Sequence, residues 1–225
     1  MLHLNDDNKI FVVSYLTLRI GLGFVGLLLP IVLTVGSLLF DNCGQVQPSI
    51  SHYYYTVMGN YFVGSLCAVA MFLFFYKGPK KIDGIIANIA AVAALLVAFF
   101  PTDEDEMSVC KYFFTERLNT VNYIHFTAAA LLFSCFAFFC LFLFTKRADN
   151  GLVTDKKKVR NSIYKTCGII IVICIILIAV YNLVDNLVTT FAKYKPTLVL
   201  ESIALFAFGA SWITKGEMFL KDKRG

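Results

Sequence analysis

Residues 85–103 read IIANIAAVAALLVAFFPTD, an apolar run that ends at Pro101 and leads into an acidic loop. Together with the residues just before it, the run is about 20 residues long, which is the length that a helix needs to cross the hydrocarbon core of a membrane. Its alanines recur at four-residue spacing, as in Ala87 and Ala91, and such small faces let helices approach closely in lipid. The stretch therefore predicts a transmembrane helix in the interior of a bundle.

The composition of the whole chain extends this prediction. Of its 225 residues, 58% are hydrophobic and only 16% are charged, which is far from the balance of a soluble domain. A chain of this length has room for about six membrane spans and no second soluble domain. The net charge of +5 does not indicate nucleic acid as a partner, because the basic residues lie beside the apolar runs and have no aromatic residues interleaved.

Six apolar runs predict the spans of a single transmembrane domain. The first run exceeds the 7–15 residues of a signal-peptide hydrophobic region and has no small-residue cleavage site, so we interpret it as an uncleaved span. A face of the second run that contains Asn60, Gly64 and Cys67 is predicted to be interior, with Asn60 and Asn88 as interhelical hydrogen-bond partners. The predicted spans are residues 11–40, 54–76, 82–100, 121–144, 167–188 and 197–214.

Basic residues between the runs predict the orientation. Lys77, Lys80 and Lys81 follow the second run, and seven Lys or Arg residues lie between positions 146 and 165 after the fourth run. Because Lys and Arg accumulate in short cytoplasmic loops, these two connections and both termini are predicted to be cytoplasmic. The loop of residues 41–53 has no Lys or Arg, and residues 103–106 are all acidic, so both of these loops are predicted to be outside.

The seven cysteines divide into two groups. Five of them lie inside apolar runs, where we expect them to be small packing residues. Cys43 and Cys110 fall in the two outer loops, where an oxidising compartment would let them pair. A disulfide between Cys43 and Cys110 is therefore predicted.

Polar residues near the outer ends of the runs form the candidate site. Five predicted spans contribute such residues at a similar depth, and polar or ionisable groups at that depth are costly enough to need a reason. Their convergence predicts a pocket between helices that is open to the outer leaflet or to outer water. The residues are His52, Tyr55, Asp103, Asn122, His125, Asn182, Asp185, Glu201 and Ser202.

A zinc site is the first chemistry that such a pocket would support. Imidazoles from His52 and His125, a carboxylate such as Asp103 and a water together form a set that is typical of catalytic zinc. No His-x-x-x-His pair supports the site locally. Zinc is therefore one possible cofactor. With zinc bound, the protein would be a membrane-embedded lipid hydrolase.

Metal-free chemistry on a lipid is the second alternative. His125 would act as the base, and Asp103 or Glu201 would hold its tautomer. The candidate nucleophiles are Ser51, Thr56 and Ser202. The third alternative is binding or transport of a lipid head group, an ion or a proton, and the fourth is a structural role in which these polar groups only brace helix ends.

One motif resembles a known family. The run Phe100-Pro101-Thr102-Asp103, followed by an acidic loop and by His125 in His-Phe-Thr-Ala-Ala-Ala, is similar to the pattern of an uncharacterised bacterial six-span family, the domain of unknown function with the number nine hundred and ninety-eight. That family is similar in outline to Frag and DRAM-like membrane proteins. The resemblance implies a six-helix bundle in a bacterial inner membrane, with Pro101, Asp103 and His125 at its outer side, and it implies no activity.

A weaker resemblance, to ceramidase-type membrane hydrolases, rests on buried His, Asp and Ser residues. Those enzymes have seven spans and three zinc-binding histidines, whereas this chain offers only His52 and His125 on one side.

These observations predict an all-α polytopic integral membrane protein whose outer pocket binds or modifies a membrane lipid or another amphiphile, with His125, Asp103 and Glu201 as the catalytic candidates. A small transporter or ion-binding protein is the first alternative, although the inner halves of the spans are apolar and offer no polar path across the membrane. The second alternative is a structural subunit that assembles with its own copies or with a partner membrane subunit through its small faces.

Overall fold

A computed structural model describes residues 6–41, 44–102, 119–146 and 154–220 of the chain. Within these ranges all regular secondary structure is helical. The α-helices are α1 (Asp6–Phe40), α2 (Gly59–Phe74), α3 (Lys81–Phe99), α4 (Asn119–Phe138), α5 (Asp155–Leu183), α6 (Asp185–Phe191) and α7 (Pro196–Lys215). A 3-10 helix, Ser51–Tyr55, precedes α2, and a π-helical turn, Phe139–Leu143, continues α4.

Five of the helical segments are long and apolar enough to cross a membrane. The helix α2 is equally apolar but has 16 residues, so it is about 24 Å long against a hydrocarbon core of about 30 Å. Large apolar side chains such as Met71, Phe75 and Leu183 are exposed on the outside of the bundle, as expected where lipid is the solvent. The chain is therefore an integral membrane protein by the composition of its helices, while the sixth crossing and the orientation stay predictions.

The boundaries of α2 and α5 differ from those expected. The predicted second span began at residue 54, but Tyr54 belongs to the 3-10 helix, and α2 begins only at Gly59. The helix α5 begins at Asp155, inside the basic loop, because the Thr154 side chain accepts a hydrogen bond from the Lys157 backbone N–H at 3.2 Å and caps the helix. It ends at Leu183 rather than near residue 188, since Val184 is extended and interrupts the helix.

The helices other than α6 form a closed ring. Each of the helices α1 to α5 packs against the next one along the chain, and α7 packs against both α5 and α1. The contact between α1 and α7 is close because glycines face each other there. A Cβ atom on Gly209 would lie 2.6 Å from the Gly23 carbonyl oxygen, so only glycine fits at this crossing.

The alanine faces of α3 are interior, as predicted. The buried alanines of this helix are Ala87, Ala90, Ala91, Ala93, Ala94 and Ala98. The prediction for α2 was wrong at Asn60 and Gly64, which are exposed, whereas Cys67 is half-buried against the core; the buried face of this helix carries Phe62, Leu66 and Leu73. Asn88 is also exposed, on the outside of α3, and it therefore does not form the predicted contact with Asn60 inside the bundle.

Candidate functional site

The segment of residues 47–56, which precedes α2, lies largely buried across one end of the bundle. Its buried residues are Gln47, Ser49, Ile50, Ser51, Tyr53, Tyr55 and Thr56. Among the hydrogen bonds that hold it to the helices, the Tyr53 hydroxyl donates to Thr34 Oγ1 of α1 at 3.1 Å, and the Leu198 N–H of α7 donates to the Pro48 carbonyl at 3.0 Å. The segment therefore has a defined position from which Ser51 can meet the helices.

His125, in the second turn of α4, joins this segment to the end of α3. Its side chain is 1% exposed. Nδ1 lies 2.7 Å from the Phe100 carbonyl oxygen, and Nε2 lies 2.8 Å from Ser51 Oγ. A carbonyl only accepts hydrogen bonds, so Nδ1 carries a proton, and in the neutral ring Nε2 accepts the proton of the Ser51 hydroxyl. This tautomer is the one that a general base acting on Ser51 requires.

The Phe100 carbonyl is free for this contact because of its place in the chain. The helix α3 ends at Phe99 and Pro101 follows, so the last carbonyls of the helix lack the N–H groups that a further turn would supply. Asp103 or Glu201 was the predicted orienting group for His125, whereas in the structure the Phe100 carbonyl contacts Nδ1 and Glu201 contacts the Ile50 N–H. The Pro101 motif was the signal that could have indicated this carbonyl.

Glu201, in the second turn of α7, holds the residue that precedes Ser51. Its Oε2 accepts a hydrogen bond from the Ile50 N–H at 2.7 Å. Glu201 and Ser51 both border a cavity of about 50 Å³ whose remaining wall is apolar. The apolar wall includes Val25, Leu29, Phe62, Val97, Leu132 and Phe208. The site thus combines a hydroxyl–imidazole pair, a carboxylate and an apolar cavity.

Tyr55 and Asn122 brace the chain after α3. The Tyr55 hydroxyl donates to the Thr102 carbonyl at 2.6 Å, and Thr102 Oγ1 donates to Asn122 Oδ1 at 3.2 Å. Both contacts are made by Thr102, two residues after Phe100, and they keep the chain at Thr102 close to the 3-10 helix and to α4. Tyr55 and Asn122 therefore lie in the same polar region as His125.

The remaining predicted ligand residues have other contacts. His52 is partly exposed, and its Nδ1 lies 2.6 Å from Ser49 Oγ. The Ser202 hydroxyl donates to the Leu198 carbonyl of its own helix, and the Asn182 side chain donates to Ile178 in the same way. Asp185 is exposed at the start of α6. Neither Asn182 nor Asp185 is drawn into the buried cluster with His125.

Among the described residues, which include His52 and His125 but not Asp103, no three His, Cys, Asp or Glu side chains lie close enough to hold a metal ion. Both ring nitrogens of His125 already have partners in Ser51 and Phe100. Asp103 lies outside the described residues, so its catalytic and metal roles stay predictions.

The predicted disulfide also stays a prediction, because Cys43 and Cys110 both lie outside the described residues. The five cysteines that the structure describes are free thiols, as expected for packing residues.

The fold and this site define a helical membrane protein with a buried serine–histidine pair beside an apolar cavity. No known protein family, no characterised protein and no solved structure matches the chain. The resemblance of the Pro101 and His125 motif to a six-span family therefore stays a prediction.

Proposed function

We propose that this protein acts in the membrane on an amphiphile that carries an acyl ester, with Ser51 as the nucleophile and His125 as the base. The observation that supports the proposal is the 2.8 Å contact between Ser51 Oγ and His125 Nε2, with Ser51 among the residues that line an apolar cavity. A serine hydroxyl is a weak nucleophile unless an adjacent base removes its proton. The same pair of side chains is what acyl transfer needs.

The reaction follows from this contact. His125 Nε2 takes the hydroxyl proton as Ser51 Oγ forms a bond to the ester carbonyl carbon, and the leaving alcohol then takes the proton from Nε2 as the ester C–O bond breaks. Water attacks the acyl-Ser51 ester, again giving its proton to Nε2, and this proton returns to Ser51 as the acid leaves. The Phe100 carbonyl holds the ring in place but carries no full charge, so we expect slower turnover than with a carboxylate partner.

The cavity supports an apolar acyl group as the part of the substrate next to Ser51. Its walls come from aliphatic and aromatic side chains, and Glu201 is the only ionisable residue among the residues that line it. A volume of about 50 Å³ holds only one or two water-sized groups, so a long chain requires the surrounding helices to separate. Glu201 would act as a positioning residue, because it holds Ile50 rather than the reacting atoms.

Covalent labelling tests the proposal. We expect an alkyl fluorophosphonate to modify the purified full-length chain at Ser51, identified by peptide mass spectrometry. Ser51→Ala should abolish labelling, and His125→Gln should slow it by about 100-fold or more, since a positioned base contributes at least that much. Ser49→Ala is the matched control, because Ser49 is buried in the same segment and contacts His52 rather than His125.

A structural brace is the second candidate, and the burial of the pair favours it. With His125 1% exposed, the contacts to Ser51 and Phe100 tie α4 to the segment before α2 and to the end of α3. If the folded wild-type protein is not labelled while Ser51→Ala lowers its thermal stability, the brace explains the pair and the acyl-transfer proposal is wrong.

We also propose six crossings, with both termini on the cytoplasmic face of a bacterial inner membrane. Support comes from Lys77, Lys80 and Lys81, which lie between α2 and α3, and from Lys146, which follows α4, so all four lie at one end of the bundle. Reporter fusions after residues 45 and 225 would test the orientation. Equal activity of a periplasmic reporter at both positions would refute it.

A further inference from the structure

Glu201 places a carboxylate inside one of the helices that are long and apolar enough to cross a membrane. Its Oε2 accepts the Ile50 N–H at 2.7 Å, whereas Oε1 has no hydrogen-bond partner among the described residues. In the same part of the chain no Lys, Arg or His side chain forms an ion pair with Glu201. A carboxylate in a membrane span is costly without a cation, so Oε1 is a candidate binding group.

The cavity that Glu201 borders offers this carboxylate no cation of the protein. Among the described residues that line it, only Glu201 and Ser51 have polar side chains, and none is basic. In apolar surroundings a charge is costly unless it is paired, and a hydrogen bond between two charged groups is stronger than a neutral one. A ligand that brings a positive charge into the cavity is therefore favoured.

Phenylalanine rings in the wall of the cavity also favour a cation. Phe62, Phe133, Phe136 and Phe208 all line it. The rings of Phe136 and Phe208 are stacked with their centres 3.9 Å apart, and Phe133 meets Phe136 edge to face. The face of an aromatic ring attracts a cation, and proteins use aromatic surroundings to recognise ammonium ligands. The lining of the cavity therefore combines one carboxylate with a wall that suits an ammonium group.

The volume of the cavity limits the kind of ammonium group that it can hold. About 50 Å³ accommodates one or two water-sized groups, such as a primary ammonium and the carbon that carries it. A trimethylammonium group is larger, and it has no N–H to donate. A primary ammonium has three N–H donors, one of which can reach Glu201 Oε1. Size and hydrogen bonding thus both favour a primary ammonium.

We propose that the cavity binds the primary ammonium group of an amphiphile, with Glu201 Oε1 as the counter-ion. Oε2 of the same carboxylate holds the N–H of Ile50, the residue before Ser51, so the bound ammonium lies near the Ser51 hydroxyl. As a statement about the substrate, this inference rests on the proposed function, and it narrows the substrate to an ester of an amphiphile that carries an amino group close to the ester. The binding itself requires no reaction at Ser51.

Thermal unfolding of the full-length chain in neutral detergent tests the proposal. Dodecylammonium, dodecyltrimethylammonium and dodecan-1-ol are added to the micelles at the same low mole fraction, so that chain length is constant. Dodecylammonium should raise Tm by about 5–10 °C at 100 times its dissociation constant. The trimethylammonium probe has the same charge, but both it and the alcohol should bind about 10-fold more weakly or less. Dodecylammonium should also slow the fluorophosphonate labelling of Ser51, because Ser51 lines the same cavity.

The variant Glu201→Gln isolates the charge. Glutamine keeps an acceptor for the Ile50 N–H but carries no charge, so binding of dodecylammonium should weaken by about 10–100-fold while binding of dodecan-1-ol is unchanged. Ser202→Ala is the matched control, because Ser202 neighbours Glu201 but donates to Leu198 of its own helix and does not line the cavity. Phe133→Leu should weaken binding of dodecylammonium by about 2–5-fold and serves if Glu201→Gln does not fold.

Equal binding of dodecylammonium and either of the other two probes would overturn the proposal, as would a preference for dodecylammonium that persists undiminished in Glu201→Gln or Phe133→Leu. Ser51→Ala separates this inference from acyl transfer, because the variant should still bind dodecylammonium. Labelling of Ser51 without any preference for dodecylammonium would refute the inference and leave the proposed function intact. Selective binding of dodecylammonium by a protein that is not labelled would support the ammonium site and refute acyl transfer.

Discussion

The ion pair between Asp83 and Lys146 gives the sharpest test of what holds this bundle together. Asp83 Oδ1 lies 2.6 Å from Lys146 Nζ, and its Oδ2 accepts a hydrogen bond from the Lys80 N–H at 2.8 Å. The Asp83 side chain is 2% exposed, whereas that of Lys146 is 25% exposed. Water can therefore solvate Lys146 when Asp83 is removed, but it cannot reach Asp83 when Lys146 is removed.

This difference predicts an order of destabilisation. Lys146→Met leaves the Asp83 carboxylate buried without a cation and should lower the free energy of unfolding by about 3–5 kcal/mol. Asp83→Asn leaves Lys146 within reach of water and keeps an acceptor for the Lys80 N–H, so its cost should be about 1–3 kcal/mol. The double variant should be more stable than the sum of the two losses implies, by about 1–3 kcal/mol.

Reversible unfolding checks the order. Sodium dodecyl sulfate is titrated into protein in mild-detergent micelles, and helix content is followed by circular dichroism. Lys158→Met is the control, since its pair with Asp155 is exposed and should contribute about 0–1 kcal/mol. The reasoning is refuted if Asp83→Asn costs more than Lys146→Met, or if the two losses simply add.

Two further predictions concern helix packing and the buried segment. Gly209→Ala should destabilise the bundle by about 1–3 kcal/mol, because its methyl group meets the Gly23 carbonyl, whereas Gly64→Ala, with nothing within 4 Å, should be neutral or stabilising in the same unfolding assay. Burial raises the pKa of the Tyr53 hydroxyl above its ordinary value of 10.0, so its neutral form favours the folded state and this contribution is lost as pH rises above about 10. The stability advantage of wild type over Tyr53→Phe should therefore be constant from pH 7 to 9 and shrink by pH 11. An advantage that does not change with pH would contradict this assignment.

Much of the helical architecture could be predicted from local sequence. The helices α3 and α7 begin and end within one or two residues of the apolar runs, because hydrophobic length is a local property. The interior position of the alanine face of α3 was also predicted from local sequence. Small residues at four-residue spacing are typical of close contacts between membrane helices. Capping and interruption were harder to predict, as Thr154 and Val184 demonstrate for α5.

The orientation of α2 could not be predicted, because both faces of a membrane helix are apolar. In a soluble protein the periodicity of apolar residues distinguishes the buried face of a helix from the face in water. In a membrane the outer face is apolar as well, so this contrast is lost. Asn60 and Gly64 were therefore assigned to the interior, although this part of α2 turns them outward and packs Phe62 and Leu66 instead.

The sequence by itself determined that this is a bundle of apolar helices with His125 among the polar residues near one end, because the apolar runs and the residues at their ends are read along the chain. Only the tertiary structure decided which serine meets His125 and which lysine neutralises Asp83. These partners are 74 and 63 residues apart, and their meeting depends on how the helices pack rather than on any local preference. A buried polar group needs a hydrogen-bond partner, and the packing of the helices into a ring determines which residue becomes that partner.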